Sequence, residues 1–200
     1  MKTKIFSIIL FAGLFIAGCG EPTTNIDTRN DDAGAVMSLD YRDFDQAASE
    51  MIQSLLGSGR LKKADNSRYV ILKGIIRNDT MQRIDTDQLM LKVERELTNS
   101  GQAVFTAAVG TGTDQTLLET RQLRDSDEFD QSTTAAKNTL IAPELSIAGK
   151  IIQRNVPMSR NKQQVEYYFQ LTLSEVKTGL SFWQDEVLIG KRGSDKSVPW

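Results

Sequence analysis

Val165-Glu166-Tyr167-Tyr168-Phe169-Gln170-Leu171-Thr172-Leu173 alternates large apolar side chains with more polar ones. Successive side chains of a strand point to opposite faces, so this period of two predicts a strand over 164–175 with one face buried and one wetter. Lys177-Thr178-Gly179 follows it and reads as a hairpin turn, with glycine supplying the special backbone angles. Residues 180–189 then form the returning strand. Just upstream, 144–153 has the same character, so the C-terminal third of the 200-residue chain is three strands in succession.

Upstream of these strands the period changes. Phe44, Ala48, Met51 and Leu55, joined by Ala47, Ile52 and Leu56, fall on one face of a helix. Asp43 with Gln46 three residues on predicts a capping box at its start, and Gly57 and Gly59 stop it. Residues 68–77 are a nearly continuous apolar, β-branched run, as expected of a buried central strand. Asp85 and Gln88 predict a second capping box, Ile84 and Leu89 a hydrophobic staple, and Leu89, Val93 and Leu97 the stripe of a second helix. Gly101 fits the position just past its end. A second strand is expected over 103–109, a third helix over 113–123, a charged loop over 124–131 and a short helix around 133–140. A leading helix followed by the order β-α-β-α-β-β-β implies an α/β fold, with a mixed central sheet and flanking helices.

Composition narrows the chemistry. The chain has 24 Lys and Arg against 26 Asp and Glu, and no histidine. That balance lacks the basic face expected of a nucleic-acid binder. Without histidine there is no histidine-based triad, metal site or general base. Cys19 is the only cysteine.

That cysteine ends a recognisable leader. Lys2 and Lys4 precede an uncharged apolar run from Ile5 to Ala17, and Ile16-Ala17-Gly18-Cys19 places small residues before the cysteine. This is the layout of a secretory signal. The run of about 13 residues falls short of the roughly 20 needed to span a bilayer. The tetrapeptide resembles the lipobox of bacterial lipoproteins. The expectation is cleavage before Cys19, lipidation of its sulfur, and firm membrane anchorage, since two or more acyl chains hold a protein stably. Gly20 fits the default sorting to the outer membrane of a two-membrane cell. Removing residues 1–18 leaves 22 basic against 26 acidic residues, a net charge of −4. Residues 19–40 are polar and poor in large apolar side chains, so they read as a lipidated tether. Residues 41–193 then form the globular domain and 194–200 a C-terminal tail.

Several short motifs invite a chemical reading. Ser159-Arg160-Asn161-Lys162 and Ser174-Glu175-Val176-Lys177 match S-x-x-K, Lys177-Thr178-Gly179 matches K-T-G, and Ser194-Asp195-Lys196 half-matches S-D-N. One lysine, Lys177, would have to serve two of these sites, and the triplet reads better as the hairpin turn. Gly110-Thr111-Gly112 sits between a strand and a helix, where phosphates bind. The third glycine of the dinucleotide pattern is replaced by Gln115 and no Walker lysine follows, so a tight turn is expected. Asp125, Asp127, Glu128 and Asp130 lack the glycine and bidentate glutamate of a calcium loop and read as solvated. No cofactor, metal or catalytic residue is assigned. Tyr167, Tyr168, Phe169, Phe182 and Trp183 crowd the last two strands. Either Tyr168 and one of Phe182 or Trp183 face outward as a binding patch, or all are core or scattered.

Taken in order, Asp43-Phe44 through Leu55-Leu56, Asn78-Asp79-Thr80 with Ile84-Asp85-Thr86, Asn99-Ser100-Gly101, Pro143-Glu144-Leu145-Ser146 with Gly149-Lys150-Ile151, and Val165-Glu166-Tyr167 through Thr178-Gly179 to Trp183 resemble the penicillin-binding-protein activator LpoB family. The resemblance covers roughly residues 40–193. It implies a non-enzymatic outer-membrane lipoprotein, facing the periplasm, that stimulates an inner-membrane bifunctional peptidoglycan synthase. The implied fold is an α/β domain of the TolB N-terminal type. Members can carry long proline-rich tethers, whereas this one is short, with Pro22 alone. The same resemblance shades into secretion lipoproteins of the curli type, which need paired amphipathic hairpins to build a barrel. Here only one hairpin alternates cleanly.

Overall fold

A computed structural model describes residues 25–28, 34, 36–158 and 161–197. The chain divides into a unit Met1–Gly34 and a unit Ala35–Trp200. Among the described residues, the second carries the regular structure. Its elements are α1 (Tyr41–Gly57), β1 (Tyr69–Asp79), α2 (Asp87–Asn99), β2 (Ala103–Phe105), α3 (Gln115–Gln122), β3 (Leu145–Pro157), β4 (Lys162–Glu175) and β5 (Ser181–Ser194). Short 3-10 turns follow α3 (Leu123–Asp125) and β5 (Asp195–Ser197). This is the expected order in an α/β fold.

The five strands form one mixed sheet in the order β2-β1-β3-β4-β5. β1 runs parallel to both β2 and β3, and the β3-β4 and β4-β5 pairs are antiparallel. The alternation in β4 sorts its side chains as expected. Val165, Tyr167, Phe169, Leu171 and Leu173 are buried, while Glu166, Tyr168, Gln170 and Thr172 are half-buried on the other face. Ile147 and Ile151 of β3 and Val187 and Ile189 of β5 extend the buried row. α1 and α2 cover it with Phe44, Met51, Leu55, Leu89, Val93 and Leu97. Phe44 meets Phe169 edge-on, ring centres 6.0 Å apart and planes at 87°.

Helix starts differ in detail from the sequence reading. The first helix is capped by Asp40, in extended backbone, whose side chain accepts from the Arg42 and Asp43 amides. Asp43 completes the box by accepting from the Asp40 amide at 2.7 Å. So Asp43 is the third helical residue of the box rather than its cap. Asp85 accepts from the Asp87 amide at 2.9 Å in a local turn, and α2 begins after Thr86 without a side-chain cap. Beyond α3 no helix forms around 133–140; turns held by Asp130 and Gln131 replace it. No residue from Thr106 to Glu144 is buried, so nothing there offers a helix a core to dock on.

The Asp40 cap has a measurable signature. Burial alone would raise its carboxyl pKa, but hydrogen bonds from the Arg42 side chain and backbone outweigh it and hold the group below its usual 3.8. A depressed pKa stabilises the fold above the unfolded value and is lost as pH falls through the folded value. Asp40→Ala is expected to cost about 1 kcal/mol at pH 7. Asp40→Asn keeps a capping oxygen and loses the charge. Urea midpoints at pH 7 and pH 3 should therefore show a smaller acid-induced drop for Asp40→Asn than for the parent chain.

The last stretch before α1 is also fixed. Met37 and Leu39 are buried, and the Tyr167 hydroxyl donates to the Met37 carbonyl at 2.9 Å. Gln82 bridges this segment to the sheet, accepting from the Leu39 amide and donating to the Tyr167 hydroxyl. Burial pushes the Tyr167 phenol up to about 12; the Gln82 hydrogen bond opposes that shift and the Asp43 charge adds to it. The phenol is therefore neutral and serves as a structural tie.

Candidate functional site: the open face of the sheet

The face of the sheet opposite α1 and α2 is where the domain meets solvent with organised chemistry. The chain steps from β1 out to β2 and then back past β1 to β3. Right-handed crossovers place those two connections on opposite faces. The second connection, residues 106–144, accordingly crosses the open face only beside β1. Gly110 lies against the Leu72 side chain there. Among the described residues, the open-face side chains of β5 are exposed and those of β4 half-buried.

Gly110-Thr111-Gly112 forms the tight turn expected of it. Gly110 has φ +86°, and a Cβ on it would lie 2.5 Å from Leu72 Cδ1 and 2.9 Å from the Lys73 carbonyl oxygen. The Thr111 hydroxyl donates to the Lys73 and Gly74 carbonyls at 2.9 and 3.0 Å, and its amide donates to the Lys73 carbonyl at 3.3 Å. The turn's amide is thus spent on β1, and the start of α3 is filled by the Asp114 carboxylate. This is a clasp over a strand, unlike a phosphate cradle.

Beside the clasp β1 carries a bulge between Lys73 and Ile76, and a groove of about 570 Å³ opens there. Leu72, Arg77, Thr111, Lys150, Gln170 and Thr172 are among the residues that line it. A polar strip continues across β4 and β5. Lys150 pairs with Asp79 at 2.7 Å. Glu166 accepts from the Tyr168 hydroxyl at 2.7 Å and from Gln164 at 2.8 Å. Gln170 donates to Glu186 at 2.6 Å, and Arg192 to Gln164 at 2.7 Å.

The Tyr168 hydrogen bond, then that of Gln164, hold the Glu166 carboxyl below the usual range, and the same bond to Glu166 raises the Tyr168 phenol. Lys150 lowers Asp79. Each shift favours the state the group already has at neutral pH, so none is poised to exchange a proton there. Satisfied polar groups around a shallow groove, with scattered apolar area, are typical of surfaces that dock a partner reversibly.

The motifs singled out in the sequence fall as follows. Cys19 and its lipobox lie outside the described residues, as do Ser159 and Arg160. Lys162 pairs with Ser194 at one end of the β4-β5 ladder, while Lys177-Thr178-Gly179 forms the hairpin at the other, with Gly179 at φ +72°. Lys162 and Ser194 are thus neighbours, but Lys177-Thr178-Gly179 lies at the far end, so among the described residues the three penicillin-binding motifs do not share one site. Asp125 pairs with Lys137 at 3.1 Å, and Asp130 accepts from Ser132 in a turn. Among the described residues no group of acidic residues is placed to hold a metal ion. Of the crowded aromatics, Tyr168 alone faces the open side. Trp183 is buried, and Phe182 packs on Tyr69 with ring centres 5.7 Å apart. Arg77 stood in no motif and Lys150 only in a stretch of the family resemblance, and neither signalled the groove, because a bulge in one strand and a clasp from a distant turn assemble it.

Solved structures similar to the chain include the C-terminal domain of LpoB from Salmonella enterica, at 12% identity, TM-score 0.42, covering 74% of this chain and 98% of that one. The C-terminal domain of LpoB from Escherichia coli is similar at 14% identity, TM-score 0.42, with 74% and 99% covered. Lipoprotein GNA1162 from Neisseria meningitidis is similar at 12% identity, TM-score 0.37, with 66% and 87% covered. No curated protein matches the chain significantly. The family described as peptidoglycan-synthase activator LpoB matches residues 43–189, from the first turn of α1 into the second half of β5. That span takes in β1 to β4, most of β5 and nearly all of the two helices that cover them, and the chain therefore belongs to the peptidoglycan-synthase activator LpoB family.

Proposed function

We propose that this chain is an outer-membrane lipoprotein that binds the periplasmic part of an inner-membrane bifunctional peptidoglycan synthase, a penicillin-binding protein, and stimulates cell-wall synthesis without catalysis of its own. The observation that carries this is the family match across the folded domain, residues 43–189. The open sheet face supports it by offering a partner a polar, solvent-facing surface around a groove.

In this reading residues 1–18 are the signal, 19–40 the lipidated tether, 41–193 the working domain and 194–200 a tail. Because Met37 and Leu39 pack into the core, the free tether ends near Val36. Roughly 18 residues reach at most about 60 Å when fully extended. The domain therefore works near its own membrane, and the synthase must rise to meet it.

Two experiments test the proposal. Cys19→Ser should remove the acyl attachment, so the chain should leave the membrane fraction for the soluble periplasmic fraction. Persistent membrane retention of Cys19→Ser would contradict the anchor. For the partner, the immobilised domain is exposed to a detergent extract of native membranes and the retained proteins are identified. Recovery of a bifunctional synthase is expected. Recovery of secretion components alone would contradict the reading.

A further inference from the structure

The two edges of the sheet are built differently. β2 is three residues long, and the chain leaves it at once to clasp β1. β5 runs 14 residues, from Ser181 to Ser194, and among the described residues no strand lies beyond it. Long free edges are normally blunted by proline, bulges or outward charge, because their unpaired N–H and C=O groups template another strand. β5 contains no proline. Its one irregularity against β4 is at the Ser181 end, and its register is unbroken from Trp183 to Ser194.

The hydrogen-bond pattern tells which residues address that edge. In an antiparallel pair, alternate residues bond to the neighbour and the rest point away. Just past β5, the Asp195 amide donates to the Asn161 carbonyl at 3.2 Å. Continuing that register commits odd-numbered residues of β5 to β4. The even-numbered residues Gln184, Glu186, Leu188, Gly190 and Arg192 keep their backbone groups free. All five are exposed and lie on the open face.

The geometry points to a second copy of this chain as the occupant of that edge, with the two β5 strands pairing antiparallel about a twofold axis at Ile189. The side-chain row is self-complementary in that register. Glu186 of each copy falls opposite Arg192 of the other, twice, and Leu188 falls opposite Gly190. Centring the pair on residue 187 or 190 instead puts no acid opposite a base, and centring it on 188 sets Asp185 only against Lys191, which Asp43 already holds on the covered face. Opposite charges directly across a pair of strands stabilise it, and like charges oppose it. The pairing would join two five-stranded sheets into one, with the covering helices of both copies on one face and the open faces continuous on the other. The interaction is independent of the synthase and does not require the activator reading.

Sedimentation of the detergent-extracted full chain over a concentration series tests this, with hydrogen exchange at residues 184–192 as the local readout. A dimer is expected, with protection of those amides rising with concentration. Glu186→Arg should raise its dissociation constant at least about tenfold, by setting arginine against Arg192. Glu186→Arg with Arg192→Glu restores opposite charges and should return the constant to near the parent value. Both side chains are exposed, so thermal midpoints report that the variants fold. A chain that stays monomeric overturns the inference. So does a dimer indifferent to Glu186→Arg, or β5 amides protected only when a synthase is added.

Discussion

Lys191→Met should cost about 3–5 kcal/mol of folding stability, the penalty for stranding one member of a buried ion pair. The Lys191 ammonium lies 2.6 Å from the Asp43 carboxylate, and the two side chains are only 8% and 9% exposed. It also donates to the Ser38 carbonyl at 2.6 Å. One side chain thereby ties β5 to α1 and to the segment leading into α1. Removing it leaves the Asp43 charge buried without a cation. Adding Asp43→Asn should recover a substantial part of the loss, because the amide still accepts from the Asp40 amide and carries no charge. Urea denaturation of the single and double variants measures both steps. A loss below about 1 kcal/mol for Lys191→Met would show that the pair is solvated rather than buried.

Phe169→Ala should be comparably severe, about 3–5 kcal/mol, as for other large aromatics deleted from a core. Phe169 is fully buried at the centre of β4, flanked across the sheet by Ile151 and Val187 and capped by the Phe44 ring. Its removal empties the contact between α1 and the sheet. Tyr168→Ala, one residue away, should cost about 1 kcal/mol or less, since that side chain lies half-buried on the open face. The contrast between neighbours is the check. Similar losses at both positions would mean that the open face is covered by something that packs on it.

That alternation was the most legible feature of the sequence, because a strict period of two admits one assignment of faces. Lys191 lay outside the reading, because the returning strand was expected to end at 189. It runs on to Ser194, and Val187, Ile189 and Lys191 share a parity, so the lysine faces the core. What composition cannot show is that Asp43, nearly 150 residues earlier, waits there to pair with it. The two helices and the Gly179 turn were readable for similar local reasons. Errors arose where two residues of one type compete for a role. Asp40 and Asp43 are both fit to start α1, and only the extended backbone at Asp40 decides between them. Asp85 was diverted into a turn of its own. The helix expected near 133–140 had no apolar stripe to bury, and pattern without a partner surface does not hold a helix. β2 is shorter than 103–109 because the chain turns at Gly110 to clasp β1. The groove on the open face had no local signature, since its walls come from β1, β3, β4 and the turn after β2.

The central claim is that this domain raises the activity of a peptidoglycan synthase. The most direct measurement adds the purified domain to the bifunctional synthase recovered from the same membranes and follows glycan polymerisation and cross-linking from a lipid-linked precursor. A concentration-dependent increase in either rate, saturating near one domain per synthase, is the predicted result. Synthase rates unchanged at saturating domain would contradict the claim.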